Sequence, residues 1–454
     1  MYQIKKHSII ADVITPIISY QRIRENYPKS ILFESSEYQK KQNNHSIIVF
    51  DELKAIKQSK TENNSLKFAK DISDFISSIK FKNPEEQTSF NGVFGFSSYD
   101  AVASMESIHL NTNKPNLDVP SYYYGFFRFI LVFDHFNSKL TIIENVPESE
   151  KSKINTIVTL LQNTTFTTQE FKLINEEISK TEKDIFLKNV EIAKDHCKKG
   201  NVFQIVISRQ FSQSFKGDEF NVYRTLRSLN PSPYLFYADF GSFKLFGSSP
   251  EAQIIVQKNI AEIHPIAGTY KFTGEEEKDK KNIEDLKNDP KENSEHVMLV
   301  DLARNDLSRH CNQVKVTKYK EIQRFSHVIH LVSKVTGQLF KKHTASQIFS
   351  HTLPAGTLSG APKIKAMEII DELEPNARNF YGGAIGYFTF QNETNHAIII
   401  RSFCSKNNAL HYQAGAGIVI KSEPKKELQE IDNKLGALRK AMRKATEIHQ
   451  KISI

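Results

Sequence analysis

Short runs of β-branched and aromatic residues alternate with amphipathic stretches in the first third of the chain. The runs SILFES and SIIVF predict strands, and residues 64–79 repeat apolar positions with the period of a helix. The runs YYYGFFRFILVFDHF and KLTIIEN lie close together and predict a hairpin of buried strands. This part of the chain is therefore predicted to combine sheet and helix.

The pattern becomes denser after Lys183. A helix there is predicted to end at Gly200, which serves as its cap, and to lead into the strand NVFQIVISRQF. A second helix is expected to stop at the NPSP turn that begins at Asn230. Four short runs at regular spacing then predict an antiparallel meander; they are YLFYADF, FKLFGSS, AQIIVQ and AEIHPI.

Proline and serine mark the starts of two later helices. Pro290 is expected to open a helix with an apolar face, and Ser359 to cap another in which Pro362 lies in the first turn. Polar residues 146–181 interrupt the pattern, and we expect two regions, residues 1–165 and residues 180–450. Three further runs predict strands that lead into a terminal helix; they are GGAIGYFTF, HAIIIRSFC and ALHYQAGAGIVI.

The stretch from Gln413 to Lys434 joins a strand, a glycine pair and an acidic helix. Gly415 and Gly417 carry no side chain, so a turn there would let the backbone N–H groups of residues 415–417 close on an anion. Downstream, Glu427, Glu430 and Lys434 share one helix face. An apolar stripe lies beside them and consists of Leu428, Ile431, Leu435, Leu438 and Met442. Taken alone, this pattern also fits a solvated surface helix with a Glu430–Lys434 pair.

The composition argues against several classes of protein. The chain has 454 residues, of which 39% are hydrophobic and 25% charged, as in globular proteins. No apolar run is long enough to span a bilayer and the first residues lack a signal cleavage site, so we expect a cytoplasmic protein that binds no membrane. The three cysteines lie far apart and predict neither disulfides nor a zinc site. The net charge of +9 comes from lysines scattered among acidic residues, which argues against nucleic acid and favours a small anionic substrate.

Seven short motifs follow one another along the second half of the chain. They are GSSPE (residues 247–251), PIAGT (265–269), EHVMLVDLARND (295–306), HVIHLVS (327–333), AGTLSGAPK (355–363), YGGAIGY (381–387) and QAGAG (413–417). In number and order they resemble those of the chorismate-utilising enzymes, and most closely the branch formed by component I of anthranilate synthases. The motifs LFES (32–35) and YDAV (99–102) extend the resemblance over nearly the whole chain.

The resemblance implies both a fold and a reaction. The fold is α/β (α+β), with two large, mostly antiparallel sheets packed face to face and helices outside. The reaction converts chorismate and ammonia to anthranilate and pyruvate, the first committed step of tryptophan biosynthesis, and requires Mg²⁺. Chorismate carries two carboxylates, and a metal that holds its ring carboxylate needs hard oxygen ligands.

The resemblance also assigns metal and catalytic residues. Glu295 and Glu430 match the metal ligands, with Glu427 as an outer partner, and carboxylates without histidine suit Mg²⁺ better than Zn²⁺. The catalytic assignments are Glu251 as the acid for the leaving hydroxyl, His330 for proton removal, and Thr357. The acid role requires that the pKa of Glu251 be raised.

Substrate contacts carried over from the resemblance are spread over the second half of the chain. Arg401 can hold a carboxylate with two parallel hydrogen bonds, which lysine cannot reproduce. His296 and His327 lie near matched motifs but have weaker claims to a role. The full set of expected substrate contacts is Gly268, Thr269, Tyr381, Arg401, Gly415, Ala416, Gly417 and Lys434.

Two positions separate the branches of the family. Ala267 stands where common aminodeoxychorismate synthases carry a nucleophilic lysine. Gln204 stands where isochorismate and salicylate synthases carry a lysine that activates water. Ammonia is therefore the expected nucleophile, and because no cysteine has the setting of a glutaminase nucleophile, a separate glutamine amidotransferase subunit is expected. The alternatives are aminodeoxychorismate synthase component I and, from another class, a non-catalytic protein that binds chorismate or tryptophan.

Two motifs far apart in the chain resemble the halves of the family's tryptophan feedback site. The residues carried over are Glu34, Ser35, Pro233, Tyr234 and Leu235. The chain departs from the family in NNHSIIVF, which lacks a basic residue usual there, and in PIAGTYKFTG, which lacks an arginine usual after the threonine. The match of the two motifs nevertheless makes tryptophan an expected inhibitor.

Overall fold

The computed structural model describes residues 1–35, 44–59, 64, 67–162, 169–324 and 328–448. The strands in these ranges are β1 (Tyr2–Ile10), β2 (Ile31–Glu34), β3 (His45–Gln58), β4 (Gly92–Ser97), β5 (Tyr122–Asp134), β6 (Lys139–Pro147), β7 (Phe171–Ser179), β8 (Gln204–Gly217), β9 (Tyr234–Asp239), β10 (Lys244–Ser249), β11 (Ala252–Gln257), β12 (Ile260–Ile263), β13 (Ile266–Lys271), β14 (Cys311–Arg324), β15 (Val328–Leu339), β16 (Gly360–Ala361), β17 (Ala384–Thr389), β18 (Thr394–Ile398), β19 (Ser402–Lys406) and β20 (Ala409–Ile418).

The helices in the same ranges are distributed along the whole chain. They are α1 (Pro16–Arg24), α2 (Lys67–Ser78), α3 (Ile154–Gln162), α4 (Lys183–Lys198), α5 (Phe220–Leu229), α6 (Glu276–Asn288), α7 (Pro290–Ser308), α8 (Ala345–Thr352), α9 (Lys363–Leu373) and α10 (Pro424–Ala445). Short 3₁₀ helices cover Pro84–Glu86, Tyr99–Ser104 and Gly356–Leu358.

The strands form two sheets, and every ladder between described strands is antiparallel. The first sheet has the order β1, β6, β5, β3, β2, β9, β10, β19, β20, β8 and β7, with β16 beside the start of β8. The second has the order β3, β5, β4, β17, β18, β11, β12, β15 and β14, with β13 next to β12 along β15. The predicted hairpin is the β5–β6 pair and is confirmed.

The long strands β3 and β5 belong to both sheets. They pair from His45 opposite Asp134 to Gln58 opposite Tyr122. The other edge of β5 pairs with β4 in its first half and with β6 in its second half. Asp51, at a φ of +63°, and a register shift after Glu52 bend β3 between the two halves. This two-stranded ribbon therefore joins the sheets covalently.

Apolar side chains fill the space between the sheets and cover their outer faces. Phe96 and Ile385 of the second sheet pack in one cluster with Phe236 and Leu245 of the first. Helices α1, α3, α4, α5, α9 and α10 cover the outside of the first sheet, whereas α2, α7 and α8 cover the outside of the second. The predicted fold of two face-to-face antiparallel sheets with outer helices is confirmed.

The predicted meander of four strands is wrong. β9 pairs with β10 in the first sheet, but β11 pairs with β12 in the second, so the chain passes between the sheets at Pro250 and Glu251. A second crossing at residues 399–401 divides the predicted strand HAIIIRSFC into β18 and β19. Two hairpins in different sheets space their apolar runs as one meander does, which is why the sequence pattern did not separate them.

Of the two predicted helix starts, one is confirmed and one is wrong. Pro290 opens α7, and the Asp289 side chain accepts hydrogen bonds from two N–H groups of its first turn. Ser359 does not cap α9, because residues 360 and 361 first pair with β8 as a short strand. The Ser359 hydroxyl instead donates to the Ala355 carbonyl at 3.0 Å.

The terminal helix α10 packs as its apolar stripe predicts. Ile431, Leu435, Leu438 and Met442 are buried against α5, α4 and β20. Residues 163–168, where the first predicted region ends, lie outside the described residues, so the division at residues 165 and 180 stays a prediction. Among the described helices, none is both long enough and apolar enough to cross a membrane.

The inter-sheet core predicts a matched pair of stability effects. Phe96 is fully buried, with its ring 5.1 Å from that of Phe240, so Phe96→Ala should cost about 3–5 kcal/mol of unfolding free energy. Phe203 is 74% exposed, so Phe203→Ala should change stability by no more than about 0.5 kcal/mol. Urea unfolding of both variants checks this, and equal midpoints would contradict the assignment of the core.

Candidate active site

The two crossings between the sheets bring Glu251 and Arg401 together. The N–H of Ser248 donates to the Arg401 carbonyl at 3.2 Å, and the N–H of Ile398 donates to the Glu251 carbonyl at 3.0 Å. Arg401 has a φ of +50°, a left-handed conformation that ends β18 before β19 begins. Its half-buried guanidinium donates no hydrogen bond to another described residue, and Glu251 is the charge that acts on it. A half-buried cation in this state favours an anionic ligand.

Glu251 is held as a neutral acid near neutral pH. Burial raises the pKa of its carboxyl to about 8, against the opposing effects of the Thr357 hydroxyl, Arg401 and Lys434. The Thr357 hydroxyl lies 3.2 and 3.3 Å from the two carboxyl oxygens. The acid role requires a raised pKa at Glu251, and burial of the carboxyl provides it.

His330 is held as a neutral base by β15. Burial lowers its pKa to about 4, although the hydrogen bond to Gly268 acts in the opposite direction. Nδ1 donates to the Gly268 carbonyl at 2.6 Å, which leaves the lone pair on Nε2. The His330 ring can therefore accept a proton without first losing one.

The carbonyl of Gly268 points to His330 because β13 contains a bulge. Ala267 lies opposite Leu331 and Tyr270 opposite Ile329, so two residues of β13 face one residue of β15. Gly268 has a φ of +69°, and a Cβ there would lie 2.5 Å from Leu286 Cδ1. Thr269 shares the bulge, and its side chain lies outside the described part of the structure.

Gly415 is packed beneath two polar side chains of the site. Its N–H interacts with the Tyr381 hydroxyl, and its carbonyl accepts a hydrogen bond from Lys434 at 2.8 Å. A Cβ at Gly415 would lie 2.9 Å from the Tyr381 oxygen. Lys434 also pairs with Glu430 at 2.7 Å, as expected from their spacing on α10.

The predicted anion-binding turn at residues 415–417 is wrong. These residues lie inside β20 and pair with residues 206–208 of β8. Ala416 faces the core on the far side of the sheet, so only its backbone remains for a ligand. Gly417 lacks a side chain because Gln204 crosses over it, with Nε2 2.5 Å from the place a Cβ would take.

Four carboxylates from α7 and α10 repel one another beside the site. Burial raises the pKa of Glu295 to about 7; Lys291 opposes this rise, and Glu292, Glu430 and Glu427 add to it. The Oε1 atom of Glu295 is buried without a hydrogen-bond partner among the described residues. The described residues contain no group of three or more His, Cys, Asp or Glu side chains close enough to hold a metal. The Oε1 atom of Glu295 makes a long ion pair with Lys291, at 3.9 Å, and its place among repelling carboxylates nevertheless fits a divalent cation.

Glu292 and Arg378 also contribute to the site and were not predicted. Glu292 interacts with the backbone amide of Gly268, and its spacing of three residues before Glu295 on α7 was an available signal. Arg378 donates to Glu374, to the Leu358 carbonyl at 2.6 Å and to the Val206 carbonyl at 2.7 Å. It therefore fastens the loop that carries Thr357 to β8, which no local pattern indicated.

The two weaker histidine candidates are resolved differently. His296 is buried on α7 next to Glu295, and its Nε2 lies 2.6 Å from the Ser333 hydroxyl. His327 lies outside the described residues.

The site residues do not coincide with a large cavity, because Glu251 and Thr357 border a cavity of only about 30 Å³.

The five residues of the predicted regulatory site line one separate cavity of about 440 Å³. They meet because β2 pairs with β9, which places Glu34 opposite Leu235. The Glu34 carboxylate is 3% exposed and accepts hydrogen bonds from the Tyr223 hydroxyl at 2.7 Å and from Arg227 Nε at 2.9 Å. The cavity is bounded at the opposite side by Val332, Ser333 and Lys334 of β15. The members carried over from the sequence are Glu34, Ser35, Pro233, Tyr234 and Leu235.

Comparison with known proteins agrees with this arrangement. The family model described as chorismate binding enzyme matches residues 29–440. Anthranilate synthase component 1 of Acetivibrio thermocellus is 36% identical over 474 aligned positions, which cover 97% of this chain and 95% of the relative. The crystal structure of anthranilate synthase component I from Streptococcus pneumoniae superposes with a TM-score of 0.78 at 33% identity, over 95% of this chain and 99% of that chain.

A more distant likeness concerns the fold alone. The menaquinone-specific isochorismate synthase of Escherichia coli superposes with a TM-score of 0.77 but is only 20% identical, over 97% of this chain and 94% of that chain. The chain therefore belongs to the family of chorismate-binding enzymes. Within that family it is an enzyme of the anthranilate synthase component I group.

The bulge predicts different costs at two glycines that both have positive φ. At Gly268 (φ +69°) an added Cβ meets the buried Leu286, whereas at Gly274 (φ +80°) it meets nothing within 4 Å. Gly274→Ala should cost about 1 kcal/mol of stability through backbone strain, and Gly268→Ala about 1–3 kcal/mol more. Thermal unfolding of both variants measures the difference. Equal costs would show that Leu286 moves aside freely.

Proposed function

We propose that the enzyme converts chorismate and ammonia to anthranilate, pyruvate and water. One observation carries this proposal. The Glu251 carboxyl, kept protonated near neutral pH, lies near the Arg401 guanidinium, which has no hydrogen bond to another described residue. Such a pair suits an anionic substrate from which a hydroxyl must leave as water. The proposal is supported by relatives named anthranilate synthase component 1 over nearly the whole chain.

The substrate carboxylates would be held by groups from three elements. Arg401 offers two parallel N–H groups, Tyr381 offers a hydroxyl and Lys434 offers an ammonium group. The hydroxyl of Tyr381 and the ammonium of Lys434 already meet at the backbone of Gly415. A ring carboxylate placed there lies between the charges of α10 and the crossing at Arg401.

Glu251 and His330 would carry the two proton transfers that involve bonds to the ring. Ammonia adds to the ring while Glu251 gives its proton to the C4 hydroxyl, which leaves as water; Thr357 orients the Glu251 carboxyl for this transfer. The added ammonia loses a proton, which restores the Glu251 carboxyl. His330 then removes the proton from the ring carbon that bears the amine while the bond from the neighbouring ring carbon to the enolpyruvyl oxygen breaks; the ring becomes aromatic, and the released enolpyruvate takes up a proton to become pyruvate. His330 is suited to this role because it is neutral and its Nδ1–H is held by Gly268.

Mg²⁺ is the cofactor that the acidic cluster fits. Glu295 and Glu430 are the proposed ligands, and Glu427 the outer partner that interacts with both charges. When bound, the ion would polarise the ring carboxylate as a Lewis acid. It would also neutralise the repulsion that adds to the effect of burial in raising the pKa of Glu295.

Ammonia rather than an enzyme side chain or water is the proposed nucleophile. Ala267 offers no amine for a covalent intermediate, and the amide of Gln204 is not basic enough to activate water. The ammonia would come from a glutamine amidotransferase subunit, because the three cysteines of this chain are buried. A cytoplasmic location and the absence of membrane or nucleic-acid partners stay predictions from the sequence.

Tryptophan is the proposed inhibitor, bound in the cavity lined by Glu34 and Ser35. The cavity is lined by apolar residues such as Phe33 and Leu235, which suit an indole ring, and by polar residues such as Glu34 and Ser35, which suit the amino acid backbone. His45 also lines it, at the start of the run NNHSIIVF where the sequence departs from the family.

Product analysis tests the proposed reaction. The purified chain with chorismate, Mg²⁺ and ammonium chloride should form fluorescent anthranilate, and glutamine alone should not replace the ammonium salt. Glu295→Gln and Glu430→Gln should lower kcat/KM on the order of 10²-fold or more. Glu423→Gln changes an exposed glutamate just before α10 and should leave kcat/KM unchanged. Chromatography that found 4-amino-4-deoxychorismate, isochorismate or unreacted chorismate in place of anthranilate would reject the proposal.

The pH dependence tests the role of Glu251. Because the protonated carboxyl is the active form, kcat/KM for chorismate at a fixed concentration of free ammonia should fall as pH rises above about 8. The charged and polar groups that face this carboxyl are Thr357, Arg401 and Lys434. Thr357→Val removes a hydroxyl that lowers the pKa, so it should move the alkaline limb upward. Thr225→Val, at a buried threonine of α5, should leave the limb in place, and a limb unmoved in both variants would contradict the assignment.

A further inference from the structure

We infer that strand β15 is the element through which the regulatory cavity acts on the active site, and that the Ser333–His296 hydrogen bond carries the effect to the metal carboxylate. The inference rests on the proposed function, since it concerns how tryptophan in that cavity inhibits.

β15 is a wall shared by the cavity and the active site. Val332, Ser333 and Lys334 line the cavity, and the catalytic candidate His330 lies two residues before Val332. Because side chains alternate along a strand, His330, Val332 and Lys334 belong to the same face of β15. A ligand that displaces Val332 therefore displaces the backbone that carries His330.

The partner strand repeats this arrangement. Ile266 of β13 lines the cavity and lies opposite Val332, and Gly268, two residues further, accepts the hydrogen bond from His330. Both strands of the ladder thus contribute to the cavity and to the active site. The bulge between Ala267 and Tyr270 lies at the active-site end of the pair.

The opposite face of β15 is tied to α7. The Ser333 hydroxyl lies 2.6 Å from Nε2 of His296 and accepts a hydrogen bond from the Lys320 N–H at 3.0 Å. His296 is fully buried, and its Nδ1 has no hydrogen-bond partner among the described residues, so Ser333 is the polar contact that locates its ring. The next residue along α7 toward the N-terminus is Glu295.

This geometry makes metal binding and tryptophan binding mutually dependent. Movement of β15 at the cavity shifts Ser333, and the buried hydrogen bond passes the shift to His296 and to the helical turn that holds Glu295. Coupling between two ligands is reciprocal, so Mg²⁺ must weaken tryptophan binding by the same factor as tryptophan weakens Mg²⁺ binding. The effect can therefore be measured without turnover.

Calorimetry of tryptophan binding tests the inference. Tryptophan is titrated into the full chain with and without saturating MgCl₂, in the absence of chorismate. In the wild type, Mg²⁺ should raise the Kd for tryptophan at least about fivefold. In Ser333→Ala the ratio of the Kd with Mg²⁺ to the Kd without Mg²⁺ should fall toward one, because the hydroxyl that contacts His296 is removed. The ratio is compared within each variant because Ser333 itself borders the cavity.

Two further variants separate the link from a general loss of structure. Ser350→Ala removes a buried hydroxyl that donates to the Ser346 carbonyl within its own helix, and the wild-type ratio should persist there. Ser333→Thr keeps a hydroxyl at the position and should retain most of the ratio, also if Ser333→Ala proves unstable.

The possible failures are distinguishable. If the wild type shows the ratio and Ser333→Ala keeps it in full, the Ser333–His296 link is wrong while the regulatory site stands. If tryptophan and Mg²⁺ bind the wild type independently, the coupling through β15 is wrong. If the wild type does not bind tryptophan, the proposed regulatory site falls together with this inference, whereas the anthranilate assay decides the catalytic proposal separately.

Discussion

The position of the active site depends on two backbone hydrogen bonds between segments that change sheet. The N–H of Ser248 donates to the carbonyl of Arg401, and the N–H of Ile398 donates to the carbonyl of Glu251. On one side of these bonds β10 pairs with β19, and on the other β11 pairs with β18. Neighbouring strands therefore leave one sheet and enter the other at the same level. The residues at that level are released from both ladders, so their side chains are available to meet in one place.

Burial has opposite effects on two titratable groups near Arg401, the Glu251 carboxyl and the His330 ring. It raises the pKa of Glu251 to about 8 and lowers the pKa of His330 to about 4, so both groups are uncharged near neutral pH. The positive charge of Arg401 is left without a bonded carboxylate. An anionic substrate supplies that missing charge, and the site is electrostatically complete only when it is occupied.

The sequence predicted those parts of the fold that local periodicity determines. The β5–β6 hairpin and the buried stripe of α10 follow from apolar runs whose neighbours are close in the chain. The step from β10 to β11 between sheets did not follow, because the choice of sheet depends on β18 and β19, more than a hundred residues away. The glycine at position 415 predicts a turn, but the residue lies inside β20. A side chain is excluded there because the Tyr381 hydroxyl approaches the backbone closely. Arg378 was missed because its three acceptors come from separate elements.

The bulge in β13 has a consequence for how such a site can arise and be lost. Between Ala267 and Tyr270 the strand holds one residue more than its partner, and that extra residue turns the Gly268 carbonyl toward His330. No replacement of one side chain by another creates or removes a residue in a ladder. The hydrogen bond that selects the tautomer of His330 is thus a product of chain length at one point, accessible in evolution through an insertion or a deletion of a single codon. A chain that lost this residue would keep its sheet but present a regular strand to the histidine.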